Sequence, residues 1–238
     1  MGVVTRRALL DGMWRAGALC LSSTALARSV DSQAESLPSL PSLLSVAQRW
    51  LIGLNEPLVS EFMTDWPDGS ALREVLPSQV PVVRHLGLMP ALAPSSIAPL
   101  VQHLVMQSNH LEWRRSYQPP AVSTQFMENY GWTEWVGLKG PLPSLHLACG
   151  VLLLGPETDY PWHRHAAEEI YLPLAGRGLW RQGDEPWQER LPGAVIHHRS
   201  WERHAMRTSK EPMLALYLWR AADLRQGSTL DGERESAD

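Results

Sequence analysis

The feature that most constrains how this chain can fold is the stretch YPWHRHAAEEIYLPLAG, residues 160–176. His163 and His165 lie two residues apart, Glu169 follows four residues later, and Tyr171 is two further on. Alternate side chains of a β-strand share one face, so the two imidazoles point the same way. The carboxylate and the phenol join them if the strand restarts after a short bend. Two neutral imidazoles and a carboxylate suit zinc, iron, manganese, cobalt or nickel, so we predict one divalent metal ion of open identity.

Charge and composition exclude several classes of protein. The 238 residues carry a formal net charge of −4 with acidic and basic side chains mixed, which does not favour binding to nucleic acid or to an anionic membrane surface. No stretch after the N-terminus is long and apolar enough to span a membrane, so we expect no stable membrane insertion. Cys20 falls in a leader-like segment and leaves Cys149 alone, so no disulfide framework is expected.

The N-terminus resembles an export signal. Arg6 and Arg7 form a twin-arginine pair, weakly apolar residues follow, and Ala25-Leu26-Ala27 is a small-x-small cleavage pattern. We therefore assign residues 1–27 as a twin-arginine signal peptide, with the periplasm as the destination. The alternative is a ragged N-terminus on a cytoplasmic protein.

The rest of the chain divides by composition. Residues 28–45 form a Ser/Pro-rich linker, and residues 46–120 show apolar residues at helical spacing between Pro-containing breaks. His85, His103 and His110 fall in this helical region and are interpreted as surface or packing residues. Residues 121–224 contain many short strand-like runs separated by turn residues, as in a β-sandwich or barrel. Residues 225–238 form a polar tail.

A second motif, GAVIHHRSWERHAM at residues 193–206, ends near His204. With the first motif it resembles the paired motifs of the cupin superfamily, although Arg199 and Trp201 stand where that family has proline and glycine. The resemblance implies a mainly β protein, in which a C-terminal cupin double-stranded β-helix barrel follows the N-terminal helical region. It also makes His204 a third imidazole ligand. Of His197 and His198, we expect one to face inward and one outward, in preference to either binding metal.

A longer resemblance, over residues 130–222, is to the cupin-type dimethylsulfoniopropionate (DMSP) lyases of marine bacteria. It implies a carbon–sulfur lyase that cleaves a zwitterionic substrate to dimethyl sulfide and acrylate by β-elimination. The implied metal ligands are His163, His165, Glu169 and His204. The implied catalytic residues are Tyr171 as the base and Tyr160. A sulfonium cation is matched by aromatic faces, and the candidates for such a wall are Trp162, Trp180, Trp201 and Trp219.

Other functions remain open at this point because a fold does not fix a function. The same ligands could serve a metal-dependent dioxygenase or a sugar isomerase. A periplasmic protein that binds a small molecule through its metal is a non-enzymatic alternative, and a barrel whose histidines are vestigial would bind no metal. A homodimer is considered as the assembly.

Overall fold

The computed structural model describes residues 39–68 and 71–231, and these all fall within one compact unit. The predicted signal peptide, residues 1–27, lies outside the described residues, as do residues 28–38 of the predicted linker. The remainder of that linker is helical, because the first helix begins at Leu40. Ser39 caps this helix by exchanging hydrogen bonds with Ser42, an arrangement that satisfies two of the free N–H groups at the helix start.

Short helices make up the region before the barrel. The α-helices are α1 Leu40–Gly53, α2 Pro57–Met63, α3 Met89–Leu92, α4 Ala98–Gln107 and α5 Thr124–Glu128. Two 3-10 helices, Pro81–Leu88 and Ser108–His110, lie between them. Each of α1 to α4 carries proline in its first turn, where the missing N–H would have no partner anyway.

Twelve strands follow the first helices among the described residues. They are β1 Trp113–Arg114, β2 Tyr130–Gly137, β3 Leu142–Pro143, β4 Leu147–Leu154, β5 Asp159–Arg164, β6 Glu168–Gly176, β7 Gly178–Gln182, β8 Gln188–Arg190, β9 Ile196–His198, β10 His204–Arg207, β11 Met213–Arg220 and β12 Thr229–Leu230. One sheet has the order β1-β2-β4-β11-β6-β9, with β3 beside β2, and the other has the order β12-β5-β10-β7-β8. The mainly β cupin architecture with N-terminal helices is therefore confirmed.

The three central strands of the larger sheet face two hydrophobic cores. Along β11, Leu214, Leu216 and Leu218 pack in one core with helix residues such as Leu43 and Leu100. The alternate residues of the same strand, including Ala215 and Tyr217, belong to a second core with residues of the smaller sheet. Strands buried on both faces read as continuous apolar runs, which explains MLALYLWR and LACGVLLL. The helical region thus shares a core with the barrel and is not a separate domain.

The end of the chain also belongs to the barrel. β12 lies inside the segment predicted to be a polar tail, and it pairs with β5 so that Leu230 is opposite His163. Asp231 then forms ion pairs with Arg164 and Arg203. Across the described ranges, none of the helices has the length and apolarity needed to cross a bilayer.

Candidate metal centre

Three buried side chains from the two sheets converge inside the barrel. His165 follows the end of β5, Glu169 is the second residue of β6, and His204 begins β10. Their candidate ligand atoms all lie within 4.8 Å of one another, and the three side chains are at most 1% exposed. Glu169 Oε2 is 2.9 Å from His165 Nε2 and 3.3 Å from His204 Nε2. The bend at residues 166–167 carries the chain from one sheet to the other, so the first motif supplies candidate ligands from both sheets.

The hydrogen bonds of these imidazoles fit a metal ion. Nδ1 of His165 lies 2.8 Å from the Ala167 carbonyl, and Nδ1 of His204 lies 2.8 Å from the Glu202 carbonyl. A carbonyl only accepts, so each Nδ1 carries a proton and donates it, and each ring turns its Nε2 towards the carboxylate. A cation between the two nitrogens and the carboxylate, either a proton or a metal ion, satisfies all three groups. Backbone carbonyls that fix the histidine tautomer are the usual support of such ligands.

Charge in the cluster is consistent with this donor set. Burial acts to raise the pKa of Glu169, but the neighbouring His165 and His204 bring it well below its ordinary value. The carboxylate is therefore ionised. The indole N–H of Trp219 donates to its other oxygen, Oε1, over 2.5 Å. The residues present thus suit a divalent cation such as zinc, iron, manganese, cobalt or nickel.

His163, the fourth predicted ligand, lies beside this set. Its ring is buried, with its centroid 4.1 Å from that of His204 and 6.4 Å from that of His165. It is not among the three residues whose ligand atoms lie within 4.8 Å of one another. Its ring stacks on Tyr160 at 4.0 Å, and its Nδ1 lies 2.9 Å from the Pro161 carbonyl, which leaves Nε2 as the free nitrogen. The free Nε2 of His163 could therefore bind a metal ion. His163 is nevertheless not one of the three residues whose ligand atoms lie close together.

The position of Tyr160 depends on an irregularity in β5. Tyr160 and His163 are three residues apart and would face opposite sides of a regular strand. The pairing with β10 shifts between His204 and Met206, and this bulge lets both buried side chains face the barrel interior. The Tyr160 hydroxyl lies 3.1 Å from that of Tyr117. Burial, and then the Tyr117 phenol, raises the pKa of Tyr160 well above its ordinary value.

His197 and His198 separate as expected, one outward and one inward. His197 is partly exposed and lies 2.7 Å from Glu168 Oε1. His198 is fully buried and stacks on His204, with ring centroids 3.9 Å apart. Gln182 contacts His198 Nδ1 through its side-chain nitrogen, and no described residue pairs with His198 Nε2. His198 thus packs against His204, beside the candidate metal centre. The sequence predicted only that one of His197 and His198 would face inward, and it did not predict this contact.

Two hydrogen bonds join the turn of the second motif to the bend of the first motif. Trp201 occupies the position of the family's glycine and adopts φ +62°, the left-handed conformation that glycine favours. Its N–H donates to the His165 carbonyl over 2.7 Å, and the Ser200 hydroxyl donates to the Ala166 carbonyl over 2.6 Å. Trp201 therefore adopts the backbone conformation of the family's glycine, although the residue type differs. These two hydrogen bonds hold His165 near His204.

A cavity of about 290 Å³ opens beside the metal centre. Glu169 and Tyr171 line it together with further residues, among them Tyr130, Trp132, Glu134, Tyr160, Tyr217 and Trp219. Tyr171 is 4% exposed, and its ring centroid lies 6.4 Å from that of His204. Burial, and then the charge of Glu169, raises the pKa of Tyr171 well above its ordinary value. A phenolate at this position therefore needs positive charge nearby.

The four candidate tryptophans do not form one wall. Trp219 lines the cavity and stacks on His165 at 4.0 Å. Trp162 sits next to inward-facing His163 on the strand, so it points outward, where the Arg203 guanidinium lies 4.0 Å from its ring centroid. Trp180 is buried among core residues without lining the cavity, and Trp201 is 50% exposed on its turn. Trp162, Trp180 and Trp201 are therefore not among the residues that line this cavity.

Sequence reasoning missed other residues that line the cavity. Tyr130, Trp132 and Glu134 alternate along β2, and Tyr217 precedes Trp219 by two residues on β11. The spacing i, i+2 was visible in YGWTE and in YLW, and it is the same signal that grouped the histidines. A second sign, the polar or aromatic residues within otherwise apolar strands, would have marked the same positions.

Fold and site together define the class, a cupin barrel with a buried histidine–carboxylate centre that could bind a metal ion. A sequence model of the dimethylsulfoniopropionate lyase family matches residues 64–215. The DMSP lyase DddQ of Ruegeria pomeroyi is 30% identical over 183 residues, which cover 77% of this chain and 90% of DddQ. The chain belongs to the DMSP lyase family.

Solved structures agree with this assignment. The crystal structure of DddQ from Ruegeria pomeroyi matches with a TM-score of 0.74 and 30% identity, covering 82% of this chain and 99% of that one. A chain from the crystal structures of the DMSP lyases RdDddP and RnDddQII matches with a TM-score of 0.73 and 34% identity, covering 81% of this chain and 97% of that one. The similarity therefore includes the helical region as well as the barrel.

Proposed function

We propose that this protein cleaves DMSP to dimethyl sulfide and acrylate at a single metal centre, with Tyr171 as the base. His165, Glu169 and His204 hold the ion, and His163 is the fourth ligand, reached by a small movement of its free Nε2. The observation that carries the proposal is that Glu169 and Tyr171 line the same cavity from one face of β6. A carboxylate bound at the centre would present its α-carbon to that phenol.

The reaction balances with these residues alone and the bound ion. When bound, a divalent ion supplies positive charge that stabilises the substrate carboxylate as negative charge builds on the α-carbon. Tyr171, as the phenolate, accepts the α-proton, and the electron pair of the broken C–H bond forms the double bond between the α- and β-carbons. The electron pair of the carbon–sulfur bond leaves on sulfur. The products are acrylate and neutral dimethyl sulfide, and the proton stays on the Tyr171 oxygen.

The surroundings of Tyr171 explain why such a base needs the metal centre. In a site without added positive charge, burial and Glu169 both oppose its ionisation. A cation among the ligands offsets the Glu169 charge and favours the phenolate. Tyr160 lies on the opposite sheet beside His163, and this position supports a role in orienting the substrate carboxylate.

Headspace dimethyl sulfide is the direct test. Purified protein loaded in turn with each candidate metal is incubated with DMSP, and gas chromatography measures dimethyl sulfide while NMR measures acrylate. We expect equal amounts of the two products, and loss of both after chelation. Acrylate without dimethyl sulfide, or full activity of a protein shown to be metal-free, contradicts the proposal. Exchange of the α-proton in D₂O separates proton removal from carbon–sulfur cleavage.

Export is a separate proposal that rests on Arg6, Arg7 and the cleavage pattern at Ala25–Ala27. The mature protein is then expected to begin at Arg28 and to meet its substrate in the periplasm. Mass spectrometry of the protein from fractionated cells of the native host tests this, with an Arg6→Lys, Arg7→Lys double variant as the control. An intact N-terminus in the cytosolic fraction rejects it.

A further inference from the structure

Glu134 places a second carboxylate in the cavity, on the strand at the far side from Glu169. It lies on β2, lines the cavity and is half-buried. The backbone N–H groups of Lys139 and Gly140 both donate to its Oε1, over 2.5 and 3.0 Å. Gly137, at φ +134°, leaves room for this carboxylate, because a Cβ there would lie 2.6 Å from Oε1. The carboxylate is thus held in place by the backbone around it.

The strand register puts Glu134 in one row with the proposed base. Glu134 on β2 is opposite Gly150 on β4, Gly150 is opposite Tyr217 on β11, and Tyr217 is opposite Tyr171 on β6. Neighbouring residues of such a row project from the same face of the sheet, here into the cavity. Gly150 keeps the row open, since a Cβ there would lie 2.7 Å from the Tyr217 hydroxyl.

Within the described ranges, Glu134 forms no ion pair, and its Oε2 accepts no hydrogen bond. Burial raises the pKa of Glu134 above its ordinary value, while the backbone N–H groups of Lys139 and Gly140, and then the charges of Lys139 and Arg73, act to lower it. Lys139 and Arg225 also line this cavity, but the Lys139 ammonium lies 5.0 Å from the ring centroid of Trp132 and Arg225 forms an ion pair with Asp223. A carboxylate whose second oxygen faces an aromatic cavity without a partner is costly to ionise unless a cation completes it. Aromatic faces and a carboxylate are also the groups that bind alkylated cations.

We infer that Glu134 is a substrate-binding residue, the counter-ion of the substrate's dimethylsulfonium group, and that it makes the cavity selective for carboxylates with a cationic far end. The inference rests on the proposed function for the orientation of the substrate, with its carboxylate at the metal centre. The sulfonium then lies between Glu134 and the rings of Tyr217, Trp132 and Trp219. Neutralisation of the sulfur on cleavage removes this attraction, so the product dimethyl sulfide is released.

Two shape-matched compounds test the inference without turnover. In 3-(trimethylammonio)propanoate and 4,4-dimethylpentanoate, a quaternary nitrogen and a quaternary carbon carry the same methyl groups at the same distance from a carboxylate. Isothermal titration calorimetry measures the affinity of the metal-loaded protein for each. We expect the wild type to prefer the cationic compound by roughly tenfold or more, and Glu134→Gln to abolish most of that preference. The glutamine oxygen can still accept from both backbone N–H groups.

Controls keep the result specific. Glu189→Gln removes the same charge from a half-exposed residue of β8 and should leave the preference unchanged. Circular dichroism and metal content verify that Glu134→Gln is folded and loaded. If that variant does not fold, the wild type alone decides, because equal affinity for the two compounds, or binding of neither, overturns the inference. An unchanged preference in a folded Glu134→Gln also overturns it.

The same experiment separates this inference from the proposed reaction. A protein that prefers the cationic compound through Glu134 but releases no dimethyl sulfide from DMSP refutes the lyase and retains the cation site. A protein that releases dimethyl sulfide but lacks the preference retains the lyase and refutes the role of Glu134.

Discussion

The indole N–H of Trp219 donates to Oε1 of Glu169 over 2.5 Å, while Oε2 of the same carboxylate faces the two imidazoles. The two residues are directly opposite each other on β11 and β6, so the backbone register fixes the contact. The indole ring also stacks on His165. Trp219 therefore orients two candidate ligands at once, in addition to lining the cavity.

Trp219→Phe should weaken metal binding without removing a ligand. Phenylalanine keeps a ring against His165 but cannot donate to Glu169, and loss of such a supporting hydrogen bond typically costs roughly 10- to 100-fold in metal affinity. Competition with a chromophoric chelator measures the affinity. Trp132→Phe is the matched control, since Trp132 lines the same cavity and contacts no ligand. Equal affinities in the two variants would show that the hydrogen bond does not support the centre.

Loss of a converging histidine should empty the centre. His165→Ala and His204→Ala are expected to lose stoichiometric metal by elemental analysis, while circular dichroism shows a folded barrel. His163→Ala and His198→Ala decide between the two neighbouring imidazoles as the fourth ligand. We expect the first to lose affinity and the second to keep it. Full occupancy in His204→Ala, or the reverse order for the neighbours, contradicts the proposed ligand set.

Tyr171→Phe should remove the base and little else. Removing a general base usually costs two to four orders of magnitude, so turnover should fall by about 100-fold or more. Metal content and substrate affinity should change far less, because neither needs the proton transfer. Dimethyl sulfide release and α-proton exchange in D₂O are the measurements.

Tyr160→Phe is the comparison for that variant. Tyr160 lies beside His163 and shares hydroxyl contacts with Tyr117, so its loss is expected to raise KM more than it lowers kcat. Near-normal turnover in Tyr171→Phe with an inactive Tyr160→Phe would move the base to Tyr160. Near-normal turnover in both would exclude a tyrosine base.

The metal-free protein should lose stability as the pH falls below neutrality. Burial, and next the neighbouring His204, holds the pKa values of His163 and His198 well below their ordinary value of 6.5. Below pH 6.5 the unfolded chain takes up protons that the folded protein does not. The free energy of unfolding therefore falls with pH by about 1.4 kcal/mol per pH unit for each histidine. Above pH 6.5 this contribution is fully present.

Urea denaturation of chelated protein between about pH 7 and pH 5 measures this slope. His198→Asn removes one of these groups and should make the slope shallower, whereas replacing the exposed His110 by asparagine should leave it unchanged. A slope that is the same in all three proteins would show that these histidines take up protons in the folded state.

The alternation of side chains along a β-strand predicted which residues of the first motif face inward. This prediction succeeded because the alternation is set by local backbone geometry. His165, Glu169 and Tyr171 all reach the interior, and the two motifs meet as the cupin resemblance implied. The alternation could not show that His165 and Glu169 belong to different sheets, because that depends on the pairing of β5 with β10 and of β6 with β11. It also could not foresee the bulge that turns Tyr160 inward.

The tryptophans show the opposite case. The four tryptophans were selected by residue type, and residue type alone does not determine whether a side chain points towards the cavity. Trp162 could have been excluded by its adjacency to His163, but the burial of Trp180 and the exposure of Trp201 depend on contacts distant in sequence. Glu134 carried an available signal, its i, i+2 spacing from Trp132, yet only the register with Gly150 and Tyr217 relates it to the centre.

The C-terminal segment that closes against β5 has a practical consequence for anyone producing this protein. Leu224, Arg225, Gly227 and Ser228 line the cavity, and the Tyr117 hydroxyl donates to the Ser228 hydroxyl. A shortened gene that stops after Arg220 therefore encodes a barrel that lacks these cavity residues. Purification handles belong at the other end, after the residue where the mature chain is proposed to start.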